Sequence, residues 1–481
     1  MKTLQNLIDG IALSYGVNIM LRNKDEYVTY KGFNRRVKRN ACYLAERYPK
    51  GTKIAVLGMS CIEGVEAWAS VVGSGNVAVL CNDYHERSLE DVVNDMRQAD
   101  VAAVLVNKSV KNVEQLQGML PDIELIDLTK KDLSKMKEEW PLRVEEDDIA
   151  QILFTSGTTG KLKMVMLSHG NIVQNAMGAQ ACVEVRQGDV LVAVLPLYHG
   201  FEMVAGLLTP LLGGATVCFD DSHVRMLRNL LKNLALYQPN ILILVPEFIK
   251  TLVKKASGKK TIRDIVGNNL RTIVVGGAKM PMDLMERFGK GIKIVEGYGI
   301  SECSPIVACN QEDDIVIGSV GKPLAGVEVK IKEGEILVKG PNVMKGYYKD
   351  EESTRKAFDK GYFKTGDIGC FDDEGNLYVT GRIKNLIVLS NGENVSPEEI
   401  EEKLEQADGV CEAFVEEVDG CLCATIYPDA NADREQILVG IEEKNKKLPP
   451  FKRVHKGNIA FRDNPFPKTS TGKIDRKIRH Y

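Results

Sequence analysis

The chain has 481 residues, of which 44% are hydrophobic and 27% are charged, and its formal net charge is -3. This length exceeds what one hydrophobic core usually covers, so two or more domains are expected. The slightly negative charge, with no lysine- or arginine-rich track, argues against a nucleic-acid-binding protein.

The cysteines and the N-terminal segment indicate the compartment. Eleven cysteines form no C-x-x-C pair, and their odd number is typical of a reduced cytosolic chain without a structural metal. Residues Met1–Gly10 contain Lys2 and Asp9 among few apolar residues, which is unlike a secretory signal. No apolar run approaches the length of a membrane span, so a cytoplasmic protein without a transmembrane segment is expected.

Short apolar runs recur through the first two thirds of the chain, separated by longer segments that are compatible with helices. This pattern predicts buried parallel strands in an α/β architecture. The runs are Ile54–Leu57, Val101–Val106, Ile149–Phe154, Val190–Leu195, Ala215–Phe219, Ile241–Val245 and Thr272–Val275. The glycine pattern at Gly73–Ala78 follows a helix-like segment and precedes a strand, the reverse of a dinucleotide-binding arrangement.

The pattern changes from about Gly318 onward. Alternation in Val327–Lys332 and Glu335–Lys339 around Glu333-Gly334 predicts a β-hairpin in an antiparallel region. Farther on, Ser396-Pro397 marks a helix start with a capping serine, and Asp419-Gly420 marks a second hairpin. We predict a large domain, residues 1–383, of layered α/β sheets with a small β region, and a small α+β domain, residues 384–481.

The segment FTSGTTGKLK, Phe154–Lys163, combines glycines, hydroxyls and lysines directly after a predicted strand. Glycines allow backbone amides to approach a phosphate closely, while hydroxyl and ammonium groups supply further donors. The segment is not the P-loop of GTPases, because Thr155 stands where that motif needs a glycine. By itself the composition also fits a flexible linker.

Further segments follow this loop in a fixed order. They are LPLYHGFE (Leu195–Glu202), VVGGA (Val274–Ala278), EGYGISE (Glu296–Glu302), GYFKTGD (Gly361–Asp367), GRIKN (Gly381–Asn385), NGENVSPEEIE (Asn391–Glu401) and FPKTSTGKI (Phe466–Ile474). The series resembles the AMP-forming ligases, the superfamily of acyl-CoA synthetases, peptide-synthetase adenylation domains and firefly-type luciferases, and it is most like the fatty-acid-CoA ligases. Residues 1–148 add only a compatible pattern of strands and helices.

The resemblance implies that ATP and Mg²⁺ bind to the large domain. Glu302 matches the Mg²⁺ residue, Tyr298 offers a ring for stacking on the purine, and Asp367 matches the acid that binds the ribose hydroxyls. A surface acid, a core tyrosine and a turn-capping aspartate are the alternatives. The implied nucleotide-binding set is Thr155, Ser156, Gly157, Thr158, Thr159, Gly160, Lys161, Lys163, Gly276, Gly277, Ala278, Gly297, Tyr298, Gly299, Ser301, Asp367 and Arg382.

The resemblance also implies roles for the small domain. Lys473 matches the catalytic lysine that reaches the reacting carboxylate and α-phosphate, although composition alone fits a solvated tail lysine. Lys384 lies at the hinge position between an adenylating and a thioester-forming pose. In the second pose the segment Asn391-Gly392-Glu393 faces the pantetheine of coenzyme A, and Gly392 also fits a plain turn.

The acid substrate is the least determined feature. His199 lies where the family places a ring between nucleotide and acyl group, although a core histidine is the alternative. No aspartate occurs between Leu195 and Phe219 to hold an α-ammonium group, which argues against amino acids. We therefore expect a medium- or long-chain fatty acid, with an aromatic acid second.

Two departures from the family pattern keep other functions open. Leu162 and Met164 stand where the family usually has proline and glycine, so the trailing half of the loop is expected to differ in shape, and Ser301 replaces a threonine. The alternatives to an acyl-CoA synthetase are a ligase that loads an acyl carrier protein and a catalytically degenerate nucleotide-binding protein.

Overall fold

The computed structural model describes residues 1–81, 87–156, 162–220, 227–256, 261–278, 280, 291–389, 394–418, 421–430, 432–468, 474 and 476. Two large sheets form the first part of this chain. In spatial order, the seven-stranded sheet contains Gly346–Tyr347, Leu162–Ser168, Ile149–Ser156, Val77–Leu80, Lys53–Val56, Ala103–Leu105 and Glu124–Ile126. The nine-stranded sheet contains Lys322–Pro323, Ile306–Cys309, Lys293–Gly299, Thr272–Val275, Ile241–Leu244, Val190–Val192, Thr216–Cys218, Ile19–Arg22 and Tyr27–Thr29.

All seven predicted apolar runs form strands, and each pairs with at least one parallel neighbour. Most of their side chains are apolar and buried, and the buried polar side chains of Gln151 and Thr272 form hydrogen bonds to Trp68 and Glu312. The prediction of buried parallel strands is therefore confirmed. The pattern at Gly73–Ala78 also lies as predicted, at the end of one helix and before the strand Val77–Leu80.

The helix Ile62–Gly73 lies in the core, with every residue except Glu63 buried. Its Trp68 donates a hydrogen bond of 3.0 Å to Gln151 on the neighbouring sheet. The helix His169–Gln180 begins with a capping box between Ser168 and Asn171, which satisfies amides at the helix start. The other helices described in this part are Leu4–Tyr15, Tyr30–Arg47, Leu89–Gln98, Val113–Met119, Thr209–Leu212, Leu227–Tyr237, Pro246–Lys255 and Arg263–Val266, with a π-helix at Glu202–Leu208.

An antiparallel β region follows, as predicted. The strands Glu328–Lys332 and Glu335–Lys339 form the expected hairpin, and Glu333 and Gly334 both have positive φ, 53° and 84°, as a tight turn between twisted strands requires. The sheet continues through Tyr362–Phe371, which pairs with Phe358–Asp359 and with Leu377–Arg382. A short helix, Glu351–Lys356, precedes it.

The last part is a compact α+β unit. Helices Pro397–Glu405 and Arg434–Asn445 accompany a sheet of Val410–Val418, Cys421–Pro428 and Ile459–Phe461, next to a two-stranded pair, Ile387–Val388 with Asn394–Val395. The strands on either side of Asp419-Gly420 pair antiparallel as predicted, while those two residues lie outside the described part. Ser396 occupies the N-cap position of the helix Pro397–Glu405, as predicted, but its side chain makes no capping hydrogen bond, because the hydroxyl donates to the Thr380 carbonyl instead.

This mixed α/β architecture, with a large and a small part, confirms the predicted fold class. A separate hydrophobic core joins Val395, Ile400, Ile426, Ile441 and Val454 of the small part. The boundary at residue 384 and the mobility of the small part stay predictions. No helix in the described ranges has the length and apolar character needed to cross a membrane.

Because His169 is buried, we expect the free energy of unfolding to fall as the pH is lowered. The Leu4 amide donates to its Nδ1 at 3.3 Å, and burial lowers the pKa of His169 from 6.5 to about 4. In the unfolded chain His169 takes up a proton near pH 6.5, whereas in the folded chain it does so only near pH 4. Between pH 8 and 4.5 His169 should therefore lower the free energy of unfolding by about 2–3 kcal/mol.

Chemical denaturation of the wild type and of His169→Asn measures this contribution, because the variant keeps an acceptor but does not titrate. The stability difference between the two proteins should shift by that amount over the pH range. The same pair of measurements with His455→Asn, at an exposed position, serves as control. A difference that stays constant with pH would contradict the assignment.

Candidate active site

The two ends of the glycine-rich segment lie on neighbouring strands of one sheet. Strands Ile149–Ser156 and Leu162–Ser168 pair antiparallel, with Thr155 opposite Lys163 and Ser156 opposite Leu162. The loop therefore follows a buried strand as predicted, and the return strand is an element that the sequence reasoning missed. Gly157, Thr158, Thr159, Gly160 and Lys161 lie outside the described residues.

Leu162 and Met164, which depart from the family pattern, lie in that return strand. Met164 pairs with Phe154, and the Met164 carbonyl accepts a hydrogen bond of 2.8 Å from the Tyr348 amide. Its side chain packs against a buried cluster of this sheet. Apolar residues suit a half-buried strand better than proline or glycine, so these substitutions support the strand that carries Lys163.

A cluster of Glu302, Tyr347 and Lys163, here called the Glu302 cluster, lies beside this hairpin. Glu302 belongs to the 3₁₀ turn Ser301–Cys303, directly after the strand Lys293–Gly299. Its Oε1 accepts a hydrogen bond of 3.0 Å from the Tyr347 hydroxyl. The Lys163 ammonium lies 4.3 Å from the centroid of the same ring. The structure thus brings the predicted metal residue close to a predicted phosphate residue.

The Glu302 carboxylate fits the Mg²⁺ that the family implies. Within the described ranges, no group of three or more His, Cys, Asp or Glu side chains could hold a metal by itself. Mg²⁺ in phosphoryl-transfer sites usually takes one or two carboxylates and completes its shell with substrate phosphates and water. A single carboxylate close to Lys163 of the flanking strand matches this preference. The hydrogen bond from Tyr347 leaves acceptor capacity on both carboxylate oxygens.

A second cluster, the Asp367 cluster, consists of Tyr298, Asp367 and Arg382. Asp367 is 3% exposed; its Oδ2 accepts a hydrogen bond of 2.7 Å from the Tyr298 hydroxyl, and Arg382 Nε lies 2.7 Å from Oδ1. Asp367 and Arg382 are directly opposite on paired strands. Burial and the Asp367 charge raise the pKa of Tyr298, so its hydroxyl remains a donor.

Cys303 follows Glu302 directly in the chain, and its thiol is fully buried. Burial raises the pKa of this thiol, and the charges of Glu302 and Asp367 raise it further. Tyr298, which bonds Asp367, and Glu302, which bonds Tyr347, are only four residues apart. The two clusters therefore lie next to each other, at the end of the strand Lys293–Gly299.

Two of the predicted glycines, Gly276 and Gly299, lie where another part of the chain approaches the backbone closely. Gly276, Gly277 and Ala278 follow the strand Thr272–Val275, and a Cβ at Gly276 would lie 2.6 Å from the Phe201 ring. Gly277 has a φ of 82°, which favours glycine. A Cβ at Gly299 would lie 2.0 Å from the Pro305 carbonyl oxygen, whereas at Gly297 a Cβ would meet only ordinary contacts. Gly276 and Gly299 are therefore explained by packing within this chain.

His199 lies two residues before Phe201, whose ring approaches Gly276, and three residues before the π-helix Glu202–Leu208. Its ring is half-buried and lies 4.6 Å from the Tyr198 ring, centroid to centroid. Its carbonyl accepts from the Met203 amide at the start of the helical segment. The catalytic role of His199 and its alternative as a core histidine both stay open.

The small part contacts the large part through ion pairs. Lys468 Nζ lies 2.9 Å from Glu247 on the helix Pro246–Lys255 and 2.8 Å from Glu412 on the small-part sheet. Lys468 also forms an antiparallel bridge with Ile474. Lys473 lies between Lys468 and Ile474 in the chain and is outside the described residues. The bridge defines the positions of Lys468 and Ile474 only. Sequence reasoning missed this contact because no local pattern relates Lys468 to a glutamate more than two hundred residues earlier in the chain.

The remaining predicted positions are only partly described. Lys384 lies in an exposed 3₁₀ turn, Ile383–Asn385, after the strand Leu377–Arg382. That placement between the β region and the small part is compatible with a hinge. Asn391, Gly392 and Glu393 lie outside the described residues.

Comparison with known families agrees with this geometry. The profile of AMP-binding enzymes matches residues 6–348, and the profile of the AMP-binding enzyme C-terminal domain matches residues 384–480. The fold and these two domains define the class of adenylating ligases. The chain belongs to the AMP-binding enzyme family, which confirms the resemblance seen in its motifs.

Individual relatives differ in the acid they are named for. The 2-succinylbenzoate-CoA ligase of Bacillus cytotoxicus is 32% identical over 452 residues, covering 86% of this chain and 85% of that protein. The long-chain-fatty-acid-CoA ligase FadD15 of Mycobacterium bovis is 32% identical over 317 residues, covering 56% and 52%. The solved structure of O-succinylbenzoate coenzyme A synthetase (MenE) from Bacillus subtilis with ATP and magnesium is 26% identical, with a TM-score of 0.80 over 98% of both chains.

These findings confirm the expected function at the level of an ATP-dependent, AMP-forming acid-CoA ligase that uses ATP, Mg²⁺ and coenzyme A. They do not extend to a fatty acid as the substrate. They also give no support to an acyl carrier protein as the acceptor.

Proposed function

We propose that this ligase activates an apolar monocarboxylic acid, with a fatty acid as the first candidate, to acyl-AMP and then to acyl-CoA. The observation that supports the site assignment is that Tyr347 contacts both Glu302 and Lys163 of the phosphate-loop strand. Tyr298, four residues before Glu302, bonds Asp367. ATP would lie across these residues, with its phosphates beside Lys163 and its ribose beside Asp367.

Each group has a physical task in this arrangement. Attack of a carboxylate on the α-phosphate brings two anions together, so cations and amide donors must offset their repulsion. Lys163 and the hairpin loop would hold the β- and γ-phosphates, and Asp367 would accept hydrogen bonds from the ribose hydroxyls. Glu302 would hold Mg²⁺, which would supply further positive charge beside the phosphates. Lys473 would reach the reacting oxygens from the small domain.

The charge of the acyl region supports an apolar acid. We place this region around His199 and Phe201, with the strands Ile241–Leu244 and Thr272–Val275 nearby. Residues 195–208, 241–246 and 272–278 contain no lysine or arginine. A second carboxylate on the substrate would need such a cation, or would pay a desolvation cost of several kcal/mol.

A second candidate substrate is 2-succinylbenzoate, because several similar relatives are named for it. That acid is aromatic and carries two carboxylates. Its second carboxylate would have to find a cation outside the three segments above, and that requirement separates the two candidates.

Release of pyrophosphate and AMP with Mg-ATP, measured over a panel of acids with and without coenzyme A, tests the proposal. The panel contains fatty acids of graded length, benzoate-type acids, 2-succinylbenzoate and amino acids. AMP release that requires coenzyme A and rises with apolar chain length is expected. A preference for 2-succinylbenzoate would contradict the apolar pocket, and pyrophosphate release indifferent to coenzyme A would indicate carrier loading. Tight ATP binding without turnover would indicate a catalytically degenerate nucleotide-binding protein.

A cytoplasmic location stays a prediction.

A further inference from the structure

Tyr347 contacts both partners of the Glu302 cluster with one side chain. It belongs to the two-residue strand Gly346–Tyr347, which pairs with Leu162–Ser168, and it is 5% exposed. Its hydroxyl donates to Glu302 at 3.0 Å, and the face of its ring lies 4.3 Å from the Lys163 ammonium. None of the segments that carry the family resemblance contains this tyrosine.

Backbone hydrogen bonds hold the segment that carries Tyr347 in place. The Lys345 and Tyr348 amides donate to the carbonyls of Met166 and Met164, at 3.0 and 2.8 Å. The Met344 amide donates to the Glu302 carbonyl at 2.8 Å. Because these bonds use the main chain, the segment keeps its position between the hairpin and the Glu302 turn when only the Tyr347 side chain changes.

The tyrosine suits its two partners chemically. The Tyr347 hydroxyl is a hydrogen-bond donor and the Glu302 carboxylate is an acceptor, so the two groups are complementary. A hydrogen bond to a charged group is stronger than a neutral one and restricts the orientation of the carboxylate. The electron-rich face of the ring attracts the ammonium of Lys163.

We propose that Tyr347 is a positioning residue for Mg-ATP: its hydroxyl orients the Glu302 carboxylate toward the metal, and its ring orients Lys163 toward the phosphates. The inference rests on the proposed roles of Glu302 and Lys163. It assigns to a residue outside the recognised motifs the task of coupling the metal residue to the phosphate loop.

Calorimetric titration of ATP, once with Mg²⁺ and once with a chelator, tests the proposal without turnover. Tyr347→Phe keeps the ring and loses the hydroxyl, so metal-free affinity should stay unchanged. The gain in affinity that Mg²⁺ supplies should fall about tenfold, the scale of one hydrogen bond to a charged group. Tyr347→Leu also loses the ring and should weaken metal-free binding about threefold.

The neighbouring Tyr348 is a matched control. Its hydroxyl bonds Asp100 at 2.8 Å, and the ammonium groups of Lys53 and Lys349 lie 5.1 and 5.5 Å from its ring centroid. Tyr348→Phe therefore removes the same kind of contact elsewhere and should bind ATP as the wild type does.

Glu302→Gln separates this inference from the proposed function. If Glu302→Gln loses the Mg²⁺-dependent gain while Tyr347→Phe keeps it, the Tyr347 inference is wrong and the metal assignment stands. If Glu302→Gln keeps the full gain, the metal assignment fails and the positioning role fails with it. Equal losses with and without Mg²⁺ in Tyr347→Phe would show a purely structural role and overturn the inference.

Discussion

Replacing Lys473 with alanine is expected to reduce acyl-AMP formation by about a thousandfold or more while sparing thioester formation from supplied acyl-AMP. A unit charge about 4 Å from the reacting oxygens contributes roughly 4 kcal/mol at intermediate dielectric, which corresponds to about three orders of magnitude in rate. Pyrophosphate exchange measures the first half-reaction, and chromatography of acyl-CoA measures the second.

Two further variants make this result specific. Lys456→Ala removes an exposed lysine of the same domain and should leave both half-reactions unchanged. Gly392→Leu should show the opposite pattern from Lys473→Ala, because a larger side chain would narrow the passage proposed for the pantetheine arm. Equal loss of both half-reactions in Lys473→Ala would show that the lysine is misassigned or that the C-terminal segment is structural.

Replacing Asp367 with asparagine is expected to weaken ATP and AMP binding by about a hundredfold or more. The carboxylate is buried and bonded by Tyr298 and Arg382, and the proposed ribose hydroxyls would add two hydrogen bonds to the same charge. Each hydrogen bond to a charged group contributes about 1.5–3 kcal/mol, so losing the charge affects every partner at once. Nucleotide affinity measured by calorimetry checks this expectation.

The ion pair between Asp359 and Lys332, 2.7 Å apart at the surface of the same β region, provides the control. Asp359→Asn should leave nucleotide affinity and the thermal midpoint unchanged, because exposed pairs contribute little. Tyr298→Phe removes a single bond to Asp367 and should fall between the two, which keeps the test informative if Asp367→Asn unfolds. Wild-type affinity in Asp367→Asn would remove Asp367 from the nucleotide site.

The strands were predictable where local pattern and burial coincide. Continuous apolar runs such as Thr272–Val275 form parallel strands covered on both faces, and turn residues such as Glu333-Gly334 adopt the left-handed conformations that a tight hairpin needs. Two-residue strands such as Gly346–Tyr347 and Lys322–Pro323 were missed, because so short an element carries no periodicity.

The hydrogen bond of the Ser396 hydroxyl could not be predicted from the local sequence. A serine before proline and two acids marks the start of the helix correctly. The hydroxyl nevertheless bonds the Thr380 carbonyl of a neighbouring strand, since tertiary packing offers a partner that the local sequence does not reveal.

The sequence by itself determined the family, the order of the chemical groups and the kinds of atoms available for phosphate, ribose and metal, because these properties belong to residue types and their spacing. Only the tertiary structure decided which groups are neighbours. Tyr347 joins Lys163 to Glu302, Asp367 joins Tyr298 to Arg382, and Lys468 joins the two parts of the chain. Such contacts depend on strand register and on the packing of distant segments, and no local pattern encodes either.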